Sequence, residues 1–283
     1  MTQTTEAIVI RAYGGPEALV LEEVPLPPPG PGELLIRQTA AGVNFHDIYV
    51  RSGSYRTLAL PGIPGLEGVG VVEATGEGVT GFAPGDRVAY IERTYGGYAR
   101  ARVVDAALAV PVPDSVDDAV AAAWYLKGLT AQALVADVHP VSPGANVLVQ
   151  AAGGGVGQLV ARVAKLRGAT VIGTAGSDEK VALAQAAGCD AVIRYREEDV
   201  VARVMELTGG AGVEVAYDAV GKDTFDGSLA VLATRGHLVN YGQASGTIPP
   251  LDISRLGAKS LSLTRPFLWA YVGTREKLVA ASA

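Results

Sequence analysis

Apolar and polar positions follow two rhythms along this chain of 283 residues. Up to about residue 124 the apolar positions fall in short alternating stretches, at 7–10, 33–39, 68–74 and 86–91. Turn formers separate them: Gly14-Gly15-Pro16, then Pro27-Pro28-Pro29-Gly30-Pro31-Gly32, then Ala83-Pro84-Gly85-Asp86. Alternation puts one face of a strand in a core and the other in water, while glycine and proline supply the turn backbone. Short strands at this spacing predict a small barrel or sandwich. From about residue 125 the rhythm changes. Strand patterns at 147–150, 170–173, 191–193, 213–217 and 237–241 alternate with helical patterns at 155–167, 180–187, 200–207 and 224–232. That order predicts a parallel sheet covered by helices on both faces, a fold that binds ligands at the carboxyl ends of its strands.

Composition supports two packed domains. Apolar residues make up 49% of the chain, ample for a core, and the net charge is −6. Lys165 and Arg167 come nearest to a basic cluster and read as a solvated helix face, so a phosphate-neutralising nucleic-acid surface and a polybasic membrane anchor are both unsupported. Cys189 is the one cysteine, which excludes an intrachain disulfide and a four-cysteine zinc site. Residues 1–6 are polar and lack the apolar core of a signal peptide. No run of about 20 apolar residues is visible, so neither a membrane span nor export is expected and the cytoplasm is the expected location.

One segment carries specific chemistry: Val147-Leu148-Val149-Gln150-Ala151-Ala152-Gly153-Gly154-Gly155-Val156-Gly157. A strand runs into a glycine-rich turn and the turn into a helix. Glycines let the backbone approach a pyrophosphate, and the helix N-terminus offers free N–H groups and partial positive charge. Ala152 occupies the first glycine position of the dinucleotide fingerprint, so the match is imperfect, and a tight structural turn is the bland alternative. Sites for NAD place an acid at the tip of the second strand to hold the ribose 2′-hydroxyl. Here that tip holds Ala175, followed by Gly176 and Ser177, with Lys180 close behind. A small residue, a hydroxyl and a cation favour the 2′-phosphate of NADPH. Asp178 and Glu179 suit the first turn of the next helix, and Lys180 also reads as an ordinary exposed helix lysine.

Several ordered motifs then converge. Gly42-Val43-Asn44-Phe45, Gly65-Leu66-Glu67-Gly68-Val69-Gly70, Pro84-Gly85-Asp86-Arg87-Val88 and Lys127-Gly128-Leu129-Thr130-Ala131 join the glycine loop. So do Tyr195-Arg196-Glu197-Glu198-Asp199 and Val215-Ala216-Tyr217-Asp218-Ala219-Val220-Gly221. From residue 6 to about 280 the chain resembles the medium-chain dehydrogenase/reductases, in particular their zinc-free, zeta-crystallin-like quinone oxidoreductase branch. The resemblance implies an α/β protein: a GroES-like β-barrel catalytic domain at 1–124, a Rossmann domain with a doubly wound parallel sheet at 125–268, and at 269–283 the start of a return to the catalytic domain. It implies NADPH in the cleft between the domains. By motif, Asn44 and Tyr55 line the nicotinamide end, and Thr130 lies near the nicotinamide and phosphates. Gly154, Gly155, Val156 and Gly157 form the pyrophosphate loop, Ser177, Lys180 and Tyr195 the adenosine phosphate pocket, and Tyr241 and Gly242 the cofactor-flanking turn. Members of this branch continue a few dozen residues further, whereas this chain stops at Ala283 within a helical pattern starting near Thr274.

Zinc relatives in the same superfamily hold their metal with thiolate, imidazole and carboxylate. Leu66 stands where their histidine does, and Asn44 where they have a cysteine. A catalytic zinc needs about three protein ligands, and His46, His139 and His237 are spread along the chain without cysteine partners. No metal is therefore expected, and Glu67 reads as a structural hydrogen-bonding group. What remains is hydride delivery from the cofactor, with the protein orienting a small electrophile. Reduction of quinones is the first reading, and reduction of an activated enal, enone or enoyl double bond is the second. A nucleotide-binding protein with little turnover is a third, motivated by the early end of the chain. Tyr55 is a candidate proton donor or substrate hydrogen bonder, with a cleft-packing tyrosine as the plain alternative. The substrate loops are 52–60 and 95–98. The alternating stretch 261–264, followed by Phe267, Leu268, Trp269 and Tyr271, predicts a homodimer joined edge to edge through residues 248–271.

Overall fold

The computed structural model describes residues 3–283, which divide into two compact units. The first comprises the residues up to Leu126 together with Thr274–Ala283. It opens with an antiparallel pair, β1 (Thr4–Val9) and β2 (Val20–Pro25). A five-stranded sheet follows, of β3 (Glu33–Ala41), β4 (Glu67–Thr75), β5 (Arg87–Ile91), β6 (Ala101–Asp105) and β7 (Ala109–Pro111), in the order β6-β3-β4-β5-β7. Alternation puts Leu34, Ile36, Val72, Val88, Tyr90 and Val104 into one buried cluster, the core predicted for a small β-barrel domain. A second cluster of Ile10, Val50, Leu58, Leu66 and Tyr95 lies under the helix α1 (Phe45–Ser52) and fixes the loops around it.

The second unit, Lys127–Gly273, is a six-stranded parallel sheet. Its strands are β8 (Asn146–Val149), β9 (Thr170–Ala175), β10 (Ala191–Arg194), β11 (Val213–Asp218), β12 (Leu232–Asn240) and β13 (Ser262–Thr264), in the order β10-β9-β8-β11-β12-β13. The order reverses between β8 and β11, the switch point at which such sheets bind ligands. One face is covered by α3 (Gly155–Leu166) and α4 (Asp178–Ala186), the other by α5 (Val200–Leu207) and α6 (Phe225–Ala230). Burial on both faces explains the continuous apolar run of β8, Val147-Leu148-Val149.

Two expectations need correction. The helix expected over 224–232 ends at Ala230, and β12 begins at Leu232 instead of 237. Leu232 is fully buried and pairs with Val213, so packing against the sheet overrides the helical pattern that ran on through it. The second concerns membrane-length segments. The helix α2 (Asp118–Ala133) continues into a π-turn (Leu134–Val138), and together they are long and apolar enough to cross a membrane by length and composition alone. Lys127 and Asp137 interrupt its apolar run in the sequence.

Candidate functional site

The glycine loop leaves β8 at Val149 and enters α3 at Gly155. Gly154 is the N-cap, and among the described residues no side chain caps the helix, which leaves its first-turn N–H groups without a capping partner. Gly157 has to be glycine: a Cβ there would sit 2.3 Å from the Ala151 carbonyl oxygen, so the helix rests directly on the loop. Gly153 has the same role toward the next helix, since its Cβ would lie 2.5 Å from the Lys180 carbonyl oxygen. Beneath the loop runs a chain of hydrogen bonds. The Ala151 N–H donates to Thr174 Oγ1 at 3.1 Å, Thr174 Oγ1 to Gln150 Oε1 at 2.8 Å, and Gln150 Nε2 to Ser228 Oγ at 3.0 Å. Ser228 Oγ donates in turn to Asp218 Oδ2 at 3.0 Å. Asp218 is fully buried and also accepts from Val220 N–H, Gly221 N–H and the Thr224 hydroxyl. A satisfied buried network of this kind makes its members rigid, and here it fixes the loop's shape.

At the end of β9, Ser177 caps α4, its Oγ accepting from the Lys180 N–H at 3.4 Å. The Tyr195 hydroxyl lies 2.3 Å from where a Gly176 Cβ would be, so Ser177, Lys180 and Tyr195 gather beside the loop. Asp178 is ion-paired with Arg194, whereas Lys180 is exposed and has no ion-pair partner among the described residues. A second cation joins this group. The stem of Lys127 crosses the first turn of α3, its Cδ 3.0 Å from a Cβ built on Gly155. In the sequence Lys127 stands only as part of the 127–131 motif, and nothing local singles it out. Thr130 follows one turn later on α2 and is half-buried. At the far side of the switch point the Tyr241 N–H donates to the Asp218 carbonyl at 2.8 Å. Gly242 leaves no room for a Cβ, 2.4 Å from the Ala219 carbonyl oxygen, and its own carbonyl accepts from Asn240 and Arg265. The Tyr241 hydroxyl is buried without a hydrogen-bond partner among the described residues.

In the first unit, buried Asn44 caps α1. Its Nδ2 donates to Glu67 Oε1 at 2.7 Å, and Glu67 Oε2 accepts from the Leu126 N–H at 2.9 Å. Glu67 is thus a structural hydrogen-bonding group. Asp47 Oδ2 accepts from the Asn44 N–H and from the Tyr98 hydroxyl, both at 2.8 Å. Burial, then the Asp47 charge, pushes the Tyr98 hydroxyl far above its ordinary range and keeps it a donor. Tyr55 is half-buried, its ring 5.3 Å from His46 edge-on and 4.9 Å from Tyr49. His46 Nε2 lies 3.1 Å from the Tyr95 hydroxyl, and that hydroxyl also meets Thr57 Oγ1 in a short contact. The sequence marked the loops holding Thr57 and Tyr95 as substrate loops but did not single out those side chains. Nothing local signals a pair 38 positions apart.

The other histidines hold a surprise. His139 and His237, far apart in sequence, meet with their Nδ1 atoms 3.2 Å apart, and His237 Nε2 lies 2.9 Å from Thr264 Oγ1. Among the described residues no three His, Cys, Asp or Glu side chains group as for a metal ion.

Comparison with known proteins adds to this geometry. Two family models match the chain, the alcohol dehydrogenase GroES-like domain over residues 30–114 and the zinc-binding dehydrogenase over residues 155–281. The chain is 43% identical over 279 residues to a 2-haloacrylate reductase of a Burkholderia species, covering 96% of this chain and 84% of that protein. It is 44% identical over 274 residues to a quinone oxidoreductase of Pseudomonas aeruginosa, covering 96% of this chain and 84% of that protein. The crystal structure of Escherichia coli quinone oxidoreductase complexed with NADPH superposes with a TM-score of 0.92 at 41% identity, covering 98% of this chain and 85% of that one.

Proposed function

Because this chain belongs to the medium-chain dehydrogenase/reductase family, in its zeta-crystallin-like quinone oxidoreductase branch, we propose that it is an NADPH-dependent quinone reductase that transfers hydride directly, without a metal. The observation carrying this reading is the engagement of Glu67. The one carboxylate at the zinc relatives' ligand position binds the Asn44 amide and the Leu126 N–H, with Leu66 beside it in place of an imidazole. With that carboxylate engaged and no imidazole beside it, the described residues offer no three-ligand set for the zinc in the name of the matching family model.

The residues fit a phosphorylated dinucleotide. The uncapped start of α3, the glycines that leave its backbone bare, and the cations Lys127 and Lys180 suit its phosphates. NADPH, when bound, supplies the hydride. Gly154, Gly155, Val156 and Gly157 hold the pyrophosphate by backbone N–H groups, with Lys127 and Thr130 beside it. Ser177, Lys180 and Tyr195 hold the 2′-phosphate. Tyr241 and Gly242 flank the cofactor through their backbone. Asn44, its amide turned by Glu67, lines the nicotinamide end, and Tyr55 orients the substrate oxygen. Quinones are strong electrophiles, so positioning and a proton source are the main demands on the protein.

Reduction of an activated carbon–carbon double bond is the second reading, supported by the 2-haloacrylate reductase among the relatives. A steady-state screen of 1,4-benzoquinones against 2-alkenals with NADPH decides between them. A preference for quinones is expected, and a clear preference for alkenals overturns the first reading. NADPH bound but oxidised by neither class would leave a nucleotide-binding protein. The enzyme works in the cytoplasm as a homodimer joined through the β13 edge; a lone buried Cys189 suits a reducing compartment.

A further inference from the structure

We propose that His46 is the proton donor of this reaction and that Tyr95 and Thr57 connect it to solvent. The inference rests on the reductase reading above, because a reduced substrate has to be protonated. Hydride brings two electrons and one hydrogen to a quinone and leaves a hydroquinone monoanion, so each turnover needs one further proton on oxygen.

Three features single out His46. It lies two residues from Asn44 on α1, with its ring edge against Tyr55, among the first-unit residues assigned to the reacting end. One ring nitrogen, Nε2, is held 3.1 Å from the Tyr95 hydroxyl, while Nδ1 has no hydrogen-bond partner among the described residues and keeps its capacity to donate. The Tyr95 hydroxyl also contacts Thr57 Oγ1, and Thr57 is exposed to water. Nδ1–H can therefore donate to the substrate oxyanion while Nε2 takes the Tyr95 proton, Tyr95 takes that of Thr57, and Thr57 takes one from water. The imidazole changes tautomer, no charge stays behind in the protein, and the net uptake is one proton from bulk water.

The backbone supports the assignment. Tyr95 is a non-glycine residue in the left-handed region at φ 67°, a strained conformation that persists only where its surroundings determine it and that clusters at functional sites. The Tyr95 carbonyl is tied to Arg102 Nη1 at 2.8 Å, and its side chain is buried in the cluster beneath α1. Burial pulls the His46 imidazole below its ordinary range, which suits a neutral relay. The two buried carboxylates of this region are engaged elsewhere, Asp47 by Asn44 and Tyr98, and Glu67 by Asn44 and Leu126.

The test uses the full chain with NADPH and a benzoquinone. His46→Ala is expected to lower kcat about a hundredfold, in the range of general acid catalysis, with NADPH affinity by fluorescence titration within about twofold of wild type. Added imidazole is expected to restore much of the rate. Tyr95→Phe keeps the ring packing and cuts the connection, and it is expected to lower kcat about tenfold, with no benefit from imidazole. A His46→Ala enzyme as fast as wild type, or one slowed but not rescued by imidazole, overturns the proton-donor role and leaves the reductase reading standing. A wild-type protein that oxidises NADPH with neither quinone nor alkenal removes both.

Discussion

Lys180 shows how one side chain serves two accounts. An exposed lysine in the first turn of a helix is an unfavourable choice for the helix dipole, where acids belong. Its neighbours Asp178 and Glu179 fit that rule, and Asp178 is paired with Arg194. A cation kept there against the dipole, beside Ser177 and Tyr195, points to an anion outside the protein. Lys180→Ala should weaken NADPH far more than NADH, because only NADPH carries the 2′-phosphate. A hydrogen bond to a charged group contributes about 1.5–3 kcal/mol, so the NADPH preference should fall roughly ten- to a hundredfold in paired titrations. Equal losses for both cofactors would remove Lys180 from the pocket. Tyr241 is the opposite case, a residue proposed to act through its backbone. Its hydroxyl is buried without a partner, and burial pushes it well above the usual tyrosine range. An unsatisfied buried hydroxyl costs about 1–3 kcal/mol. Tyr241→Phe should therefore raise the thermal midpoint while NADPH affinity stays within about twofold. A lower midpoint, or a large loss of affinity, would show the hydroxyl in use.

Elements were legible in the sequence where their periodicity was uncontested. The β8–loop–α3 unit stands out from its glycines, and the structure adds a packing reason for Gly157, since a Cβ there would lie 2.3 Å from the Ala151 carbonyl oxygen. The helix–strand boundary near 230 was not readable, because Leu232 suits either pattern locally and only the sheet decides. The network from Thr174 through Gln150 and Ser228 to Asp218 was equally invisible. It joins β9, the end of β8, α6 and β11, and side chains that meet only in the folded sheet leave no periodic trace. The pairing of His139, after the π-turn, with His237 on β12 belongs to the same class, and it has a consequence for pH. Burial lowers both imidazoles, and each histidine is better accommodated neutral. As pH falls below about 6.5 the unfolded chain takes up these protons first. Stability is therefore full above that value, falls as pH drops through it, and levels off below the folded-state values. The thermal midpoint should be lower at pH 5.5 than at 7.5, and the difference should shrink in a His139→Gln, His237→Gln double variant. An identical fall in that variant would place the titrating groups elsewhere. The lowered carboxylates, such as Asp118 and Asp190, act only at more acid pH.

For the molecule as a whole, the open question is what covers the far side of β13. Among the described residues this strand pairs with β12 along one edge only, and its other edge presents unpaired backbone groups. Soluble folds seldom leave such an edge bare unless it is short, charged or covered. Here it is short, but exposed apolar side chains occur on it and in the flanking segments: Leu263 is 38% exposed, Phe267 57% and Ile253 78%. Exposed apolar side chains of this size favour the proposed association through this edge. The sequence had suggested a broader aromatic patch. Leu268, Trp269 and Tyr271 prove half-buried, so the exposed apolar surface centres on Ile253, Leu263 and Phe267. A two-fold axis beside β13 would pair each strand with its twin and cover these side chains with their own copies, which makes the contact self-complementary. Sedimentation equilibrium at micromolar concentration should therefore give twice the chain mass. Leu263→Asp, which sets two like charges against each other across the axis, should return the protein to monomer without unfolding it, since the side chain is already partly in water. A monomeric wild type would end the proposal, and a Leu263→Asp protein that stays dimeric would move the interface off this edge.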